Sequence, residues 1–105
     1  MKVTLSKLTI VSERLLKDQL IQLIRSEGAT GYTMTEVGGE GSRGVRATDW
    51  EGRNLQIDTI VAPSTADSIL EKLFEEYFED FAIIAWVVDV NVLRGIKFAG
   101  DKSAE

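Results

Sequence analysis

Tyr32-Thr-Met-Thr-Glu-Val-Gly-Gly-Glu-Gly-Ser-Arg-Gly-Val-Arg46 is the stretch whose reading sets the fold. Residues 32–37 alternate: Tyr32 and Met34 share one face, while Thr33, Thr35 and Val37 share the other. That two-residue period marks a β-strand. The next nine residues, 38–46, hold four glycines and two arginines. No helical pattern succeeds them, so this is not the turn of a dinucleotide-binding βαβ unit. Gly-Lys-Ser/Thr is absent too, which excludes a Walker A loop. The chain instead crosses a connection of 16 residues, 38–53, and returns as a second alternating run. Connections of that length without structure of their own are often functional or disordered.

The loop composition suits an anion. Glycine permits a left-handed backbone and close approach of the main chain to a ligand. Consecutive free N–H groups form a concave nest for negative oxygen. Arg43 and Arg46 add forked donors that match phosphate. The same composition also suits a plain surface connection. Trp50, within this connection, either anchors a partner or folds back on the domain.

Before the loop, residues 7–11 read as a strand. Ser12 is a good N-cap and Glu13 fits the first turn of a helix ending near residue 27. Leu16, Leu20, Leu23 and Ile24 form its apolar stripe, and Gly28 is its expected stop. Beyond the loop, residues 54–62 form a strand with Leu55, Ile57, Thr59 and Val61 on one face. Pro63 ends it. Ser64 or Thr65 caps a second helix over residues 66–79. Its stripe, Ile69, Leu70, Leu73, Phe74, Tyr77 and Phe78, is expected in the core together with Phe81. Glu71, Glu75, Glu76, Glu79 and Asp80 make its solvated face. Residues 82–93 are the most apolar segment, and their β-branched content predicts a central strand. One face of that segment turns polar at Asp89 and Asn91. Arg94 and Lys97 place basic charge just past its end. Residues 99–105 read as a frayed tail.

Composition bounds the chemistry. The 105 residues fit a single domain, 1–105, with 44% apolar residues and a net charge of −5. That charge argues against general nucleic-acid or anionic-membrane binding. With no cysteine and no histidine, disulfides, thiolate nucleophiles, Cys/His zinc sites and a serine triad of the usual kind are excluded. No metal site is expected. No signal peptide is visible, and no run is long enough for a transmembrane helix. The order strand, helix, strand, strand, helix, strand predicts an α+β, ferredoxin-like βαββαβ fold. In it, two helices cover one face of an antiparallel four-stranded sheet. The other face also carries apolar residues and calls for cover by further subunits.

Residues 28–43, Gly-Ala-Thr-Gly-Tyr-Thr-Met-Thr-Glu-Val-Gly-Gly-Glu-Gly-Ser-Arg, resemble the helix-to-T-loop passage of PII signalling proteins. Gly38 to Arg43 with Arg46, the run Tyr77-Phe-Glu-Asp-Phe81 and the run Val92-Leu-Arg-Gly95 resemble the PII-like carbon sensors. These are the SbtB group of cyanobacteria and the carboxysome-associated PII proteins of chemoautotrophic bacteria. The resemblance covers residues 7–98 and implies a homotrimer with three inter-subunit clefts for adenine nucleotides: AMP, ADP, ATP or cyclic AMP. It implies that Arg43 and Arg46 hold phosphates, and that Gly38, Gly39, Gly41 and Ser42 offer backbone and hydroxyl contacts. Thr33 lies near the base, and Arg94, Gly95 and Lys97 close the cleft. It also implies a T-loop at about 38–53 that docks on a membrane transporter, notably a bicarbonate transporter, with bicarbonate itself as a further ligand. The place so implied is the cytoplasm, with peripheral contact at the inner membrane through that transporter, in a carbon concentrating mechanism. The role is regulatory, not enzymatic. Two departures stand out: the loop is several residues shorter than in cyanobacterial members, and residue 40 is Glu where lysine is common. A regulator of a different transporter or enzyme is the alternative. An acylphosphatase-like enzyme lacks its loop pattern here, and a copper-type metal-tolerance protein of related fold lacks its ligands.

Overall fold

A computed structural model describes residues 2–38 and 54–94. Its alternating runs form four strands: β1 (Lys2–Glu13), β2 (Thr33–Val37), β3 (Asn54–Val61) and β4 (Ile84–Leu93). A 3-10 turn (Arg14–Leu16) leads into helix α1 (Lys17–Ser26), and helix α2 (Pro63–Glu76) joins β3 to β4. The strands pair antiparallel in the order β2-β3-β1-β4. This is the ferredoxin-like βαββαβ arrangement expected from the element order.

Register decides which residues meet the helices. Ile10 pairs with Ile57 of β3 and Ala85 of β4, and Leu8 pairs with Thr59 and Val87. These side chains therefore share one face. Leu16, Leu20, Leu23 and Ile24 close on it from the first helical segment, and Ile69 and Leu73 from α2. Each fully buried Leu or Ile contributes about 1.5–3 kcal/mol. Thr59 Oγ1 donates to the Gly31 carbonyl at 2.7 Å, which ties β3 to the chain entering β2. Among the described residues, no buried side-chain polar atom lacks a partner.

Gly28 ends α1 as expected. Its φ is +120°, a conformation that L side chains rarely adopt. The Gly28 N–H donates to Arg25 at 3.1 Å and the Ala29 N–H to Ile24 at 2.9 Å. This crossed pair is a Schellman cap, which satisfies carbonyls left free at the helix end.

Four expectations fail for physical reasons. Ser12 is no N-cap: β1 extends through it, paired with Leu55, and its hydroxyl donates to the Glu13 carbonyl. Long-range pairing of 12 residues outweighs a local cap, and α1 begins after the 3-10 turn without a side-chain cap. Glu13 instead accepts the Ala82 N–H at 3.0 Å. Ser64 and Thr65 are likewise not caps, because α2 starts with Pro63 at N1 after an extended Ala62. Proline suits that position because its missing N–H has no helical partner there anyway. The apolar strand β4 is not central but lies at the sheet edge. Phe74, expected in the core, is 70% exposed, while Tyr77, Phe78 and Phe81 do pack against the core.

Two pairs of variants check this account by urea denaturation. Gly28→Ala is expected to lose about 1–2 kcal/mol from backbone strain alone, since Thr65 lies at an ordinary 3.8 Å from the added Cβ. Gly31→Ala, with open space and no left-handed backbone, stays within about 0.5 kcal/mol of wild type. Leu73→Ala loses about 2–5 kcal/mol through a core cavity. Phe74→Ala, one residue on, stays near neutral.

Candidate functional site

The sheet face away from the helices is divided by chemistry. Along β4 it is apolar: Ile84, Trp86 and Val88 are 58%, 43% and 47% exposed, with Val90 and Val92 half-buried beside them. Across β2 and β3 it is mostly polar, carrying Thr33, Thr35, Asn54, Gln56 and Asp58, with Val37 and Ile60 the apolar exceptions. One row crosses all four strands, Thr33–Asp58–Thr9–Trp86, and passes from polar to apolar along its length.

Asp58 organises the polar half. Its Oδ1 accepts the buried Thr9 hydroxyl at 2.6 Å, and its Oδ2 accepts the Gln56 amide at 3.2 Å. A carboxylate offers about four acceptor positions, so it retains capacity for a hydroxyl or amino donor. Asp58, Gln56 and Thr9 were not singled out from the sequence. Their signal is the alternation Asn54-x-Gln56-x-Asp58, polar side chains on the uncovered face of a strand whose other face carries Leu55, Ile57, Thr59 and Val61.

The expected site residues fall at separate corners. Thr33 opens β2 and is exposed on this face opposite Asp58. The preceding residue, Tyr32, carries the Arg25 guanidinium over its ring at 5.6 Å. Gly38 follows β2, is exposed, and would meet nothing within 4 Å of an added Cβ. Its backbone is not left-handed, so glycine is not required there by strain. Near that end Arg14 and Glu36 form an ion pair at 3.3 Å, largely solvated and of small energetic weight. Arg94 lies beyond β4, exposed, with φ of 61°. Gly39, Gly41, Ser42, Arg43, Arg46, Gly95 and Lys97 lie outside the described residues, as do Trp50 and the tail.

The register fixes how far apart these corners are. β2 and β4 are the two edges of the sheet, three strand spacings or about 14 Å apart. Thr33 lies in the row of Trp86, whereas Arg94 follows Leu93, which pairs with Lys2 at the far end. Eight residues of strand add about 27 Å lengthwise, so Thr33 and Arg94 are on the order of 30 Å apart. Gly38 is farther still, beyond the Val37–Asn54 pair and at the opposite end of the sheet. The three described residues expected to share one cleft, Thr33, Gly38 and Arg94, do not meet within one chain. No group of three His, Cys, Asp or Glu side chains converges among the described residues.

Comparison with known proteins gives this geometry a family. A PII-like signalling protein of Thermus thermophilus is 48% identical, matching 93% of this chain and 98% of its own with a TM-score of 0.83. CPII of Thiomonas intermedia bound to ADP and bicarbonate is 28% identical over 93% of this chain and 97% of its own, with a TM-score of 0.82. The same protein bound to ADP, AMP and acetate is 29% identical over 94% and 98%, with a TM-score of 0.79. The family model for nitrogen regulatory protein P-II matches residues 5–97, and the chain belongs to that family.

Proposed function

We propose that this P-II family member is a signalling regulator that binds adenine nucleotides in clefts between the subunits of a homotrimer. Nucleotide occupancy then sets the state of the 38–53 loop toward a membrane transporter of bicarbonate. The observation that carries the reading is the separation of Thr33 and Gly38 from Arg94 on one sheet. A second copy, seated on the apolar half of the open face, brings the β4 end of one chain beside the β2 edge of another. The ligand class is supported by the Thiomonas relatives bound to ADP with AMP and acetate, and to ADP with bicarbonate.

The chemistry follows from the residue types. Arg43 and Arg46 hold phosphate oxygens through charge-assisted hydrogen bonds. Gly39, Gly41 and Ser42 supply main-chain and hydroxyl donors. Thr33 lies beside the base, and Asp58 offers acceptor oxygens to a donor on the nucleoside. Arg94, Gly95 and Lys97 of the adjoining copy close the cleft. A nucleotide that contacts the loop in one conformation and not in another shifts its population by that difference in affinity. Bicarbonate, smaller and singly charged, is a second effector of the same system. The residues assigned here bind and position; none is assigned to bond breaking. No helix among the described residues is long and apolar enough to cross a membrane.

Calorimetric titration with AMP, ADP, ATP and cyclic AMP tests the ligand class. Saturable heat is expected with at least one, and no heat with any of them at about 1 mM ligand contradicts the reading. Arg43→Ala is expected to weaken binding more than tenfold, about 1.4 kcal/mol or more. Unchanged affinity in that variant removes the arginine from the phosphate site.

A further inference from the structure

The outer surface of α2 carries two adjacent features of unlike chemistry. Leu70 and Phe74 lie one turn apart on α2, and Phe78 follows in the turn beyond the helix end; Leu70 and Phe78 are half-buried against the core, which leaves Phe74 as the outward ring. Phe74 is 70% exposed, and its ring sits 6.0 Å from that of Phe78 in a tilted pair. Asp67, Glu71 and Glu75 recur at the same spacing, and all three are exposed. Helical geometry sets Glu71 and Glu75 along the flank of Phe74 that faces away from buried Leu73. Among the described residues, none of these three carboxylates is in an ion pair.

Neither feature is favourable alone. Like charges at a four-residue spacing destabilise a helix, and a large aromatic ring in water forgoes burial. One kind of partner relieves both. An apolar side chain covers the Phe74 ring while lysine or arginine, one helical turn apart, pairs with the carboxylates. The position leaves this surface open in the assembly proposed above, because α2 packs on the sheet face opposite Ile84, Trp86 and Val88. It is also separate from Thr33 and Asp58 on that other face.

We infer that the exposed Phe74 ring with the Asp67–Glu71–Glu75 ladder beside it is a docking surface for a basic amphipathic helix of a partner protein. Charge complementarity selects that occupant over the alternatives. A second copy presents the same acidic ladder and is repelled, and the chain as a whole carries −5. An anionic membrane is repelled for the same reason.

The test uses the full chain and a labelled synthetic peptide of about 18 residues, long enough to form a helix when bound. The peptide carries leucine along one face and lysine beside it, and a control has the same composition in scrambled order. Fluorescence anisotropy at low salt is expected to show saturable binding of the ordered peptide, at least about tenfold tighter than the scrambled one. Phe74→Ser and the double variant Glu71→Gln, Glu75→Gln are each expected to weaken it about tenfold or more, with the urea midpoint retained. Raising salt to about 0.5 M weakens wild-type binding and leaves the double variant less affected. The inference is overturned if the ordered peptide does not bind, or binds no better than the scrambled one. It is also overturned if Phe74→Ser binds like wild type. Concentration-dependent association beyond the trimer that Phe74→Ser abolishes would make the occupant a second copy and contradict it.

Discussion

Two helices can cover only one face of a four-stranded sheet, and this chain has made the other face apolar along one edge. Among the described residues, no helix stands over Ile84, Trp86 and Val88 of β4. Leaving such a patch in water forgoes about 25 cal/mol for each Å² that could be buried. It also offers neighbouring molecules a place to associate. The polar half of the same face, across β2 and β3, has no such need. The chain is thus built to be covered on one side of that face and to stay accessible on the other. An accessible polar strip beside a subunit contact is a cleft.

The long connection belongs to this geometry. It leaves the sheet at Gly38, at the end opposite Arg94. In the site proposed above, a loop that leaves there would meet the β4 end only across a boundary between copies. On that proposal ligand affinity, loop state and assembly would be linked quantities, because the ligand would bridge parts of two chains. That linkage suits a sensor better than a catalyst. It needs differential contacts in two loop states, and no nucleophile or general base.

Much of the fold was legible in the sequence because period and punctuation agreed. Residues 32–37 and 54–62 alternated, and those strands are present within a residue of the expected bounds. Gly28 announced the end of α1 through backbone freedom, a signal that tertiary context rarely overrides. The misreadings have a common origin. Ser12, Ser64 and Thr65 looked like caps because local capping was weighed without the long pairing of β1 or the proline at N1 of α2. β4 looked central because apolar content on both faces usually means burial within a sheet; here one face meets helices and the other is open. Phe74 looked like core because its spacing fits the stripe, yet it falls at the margin of the buried arc. At the site, Thr33 and Arg94 were named from a resemblance, and nothing in composition or spacing revealed that they lie at opposite corners. Asp58 was overlooked because an aspartate on a strand reads as surface; only the cross-strand partner Thr9 and the same-strand neighbour Gln56 give it a role.

The central claim is that each nucleotide site is assembled from two chains, with the loop of one and the β4 end of the next. Mixing subunits tests it directly. Arg43→Ala and Arg94→Ala chains, unfolded together and refolded as mixed trimers, are titrated with ADP beside each variant alone. Sites shared across the boundary predict that the mixture regains tight binding in about a quarter of its clefts, where an intact loop meets an intact β4 end. Neither variant alone shows such sites. A mixture that binds no better than its two components places both arginines in one chain's site and contradicts the account.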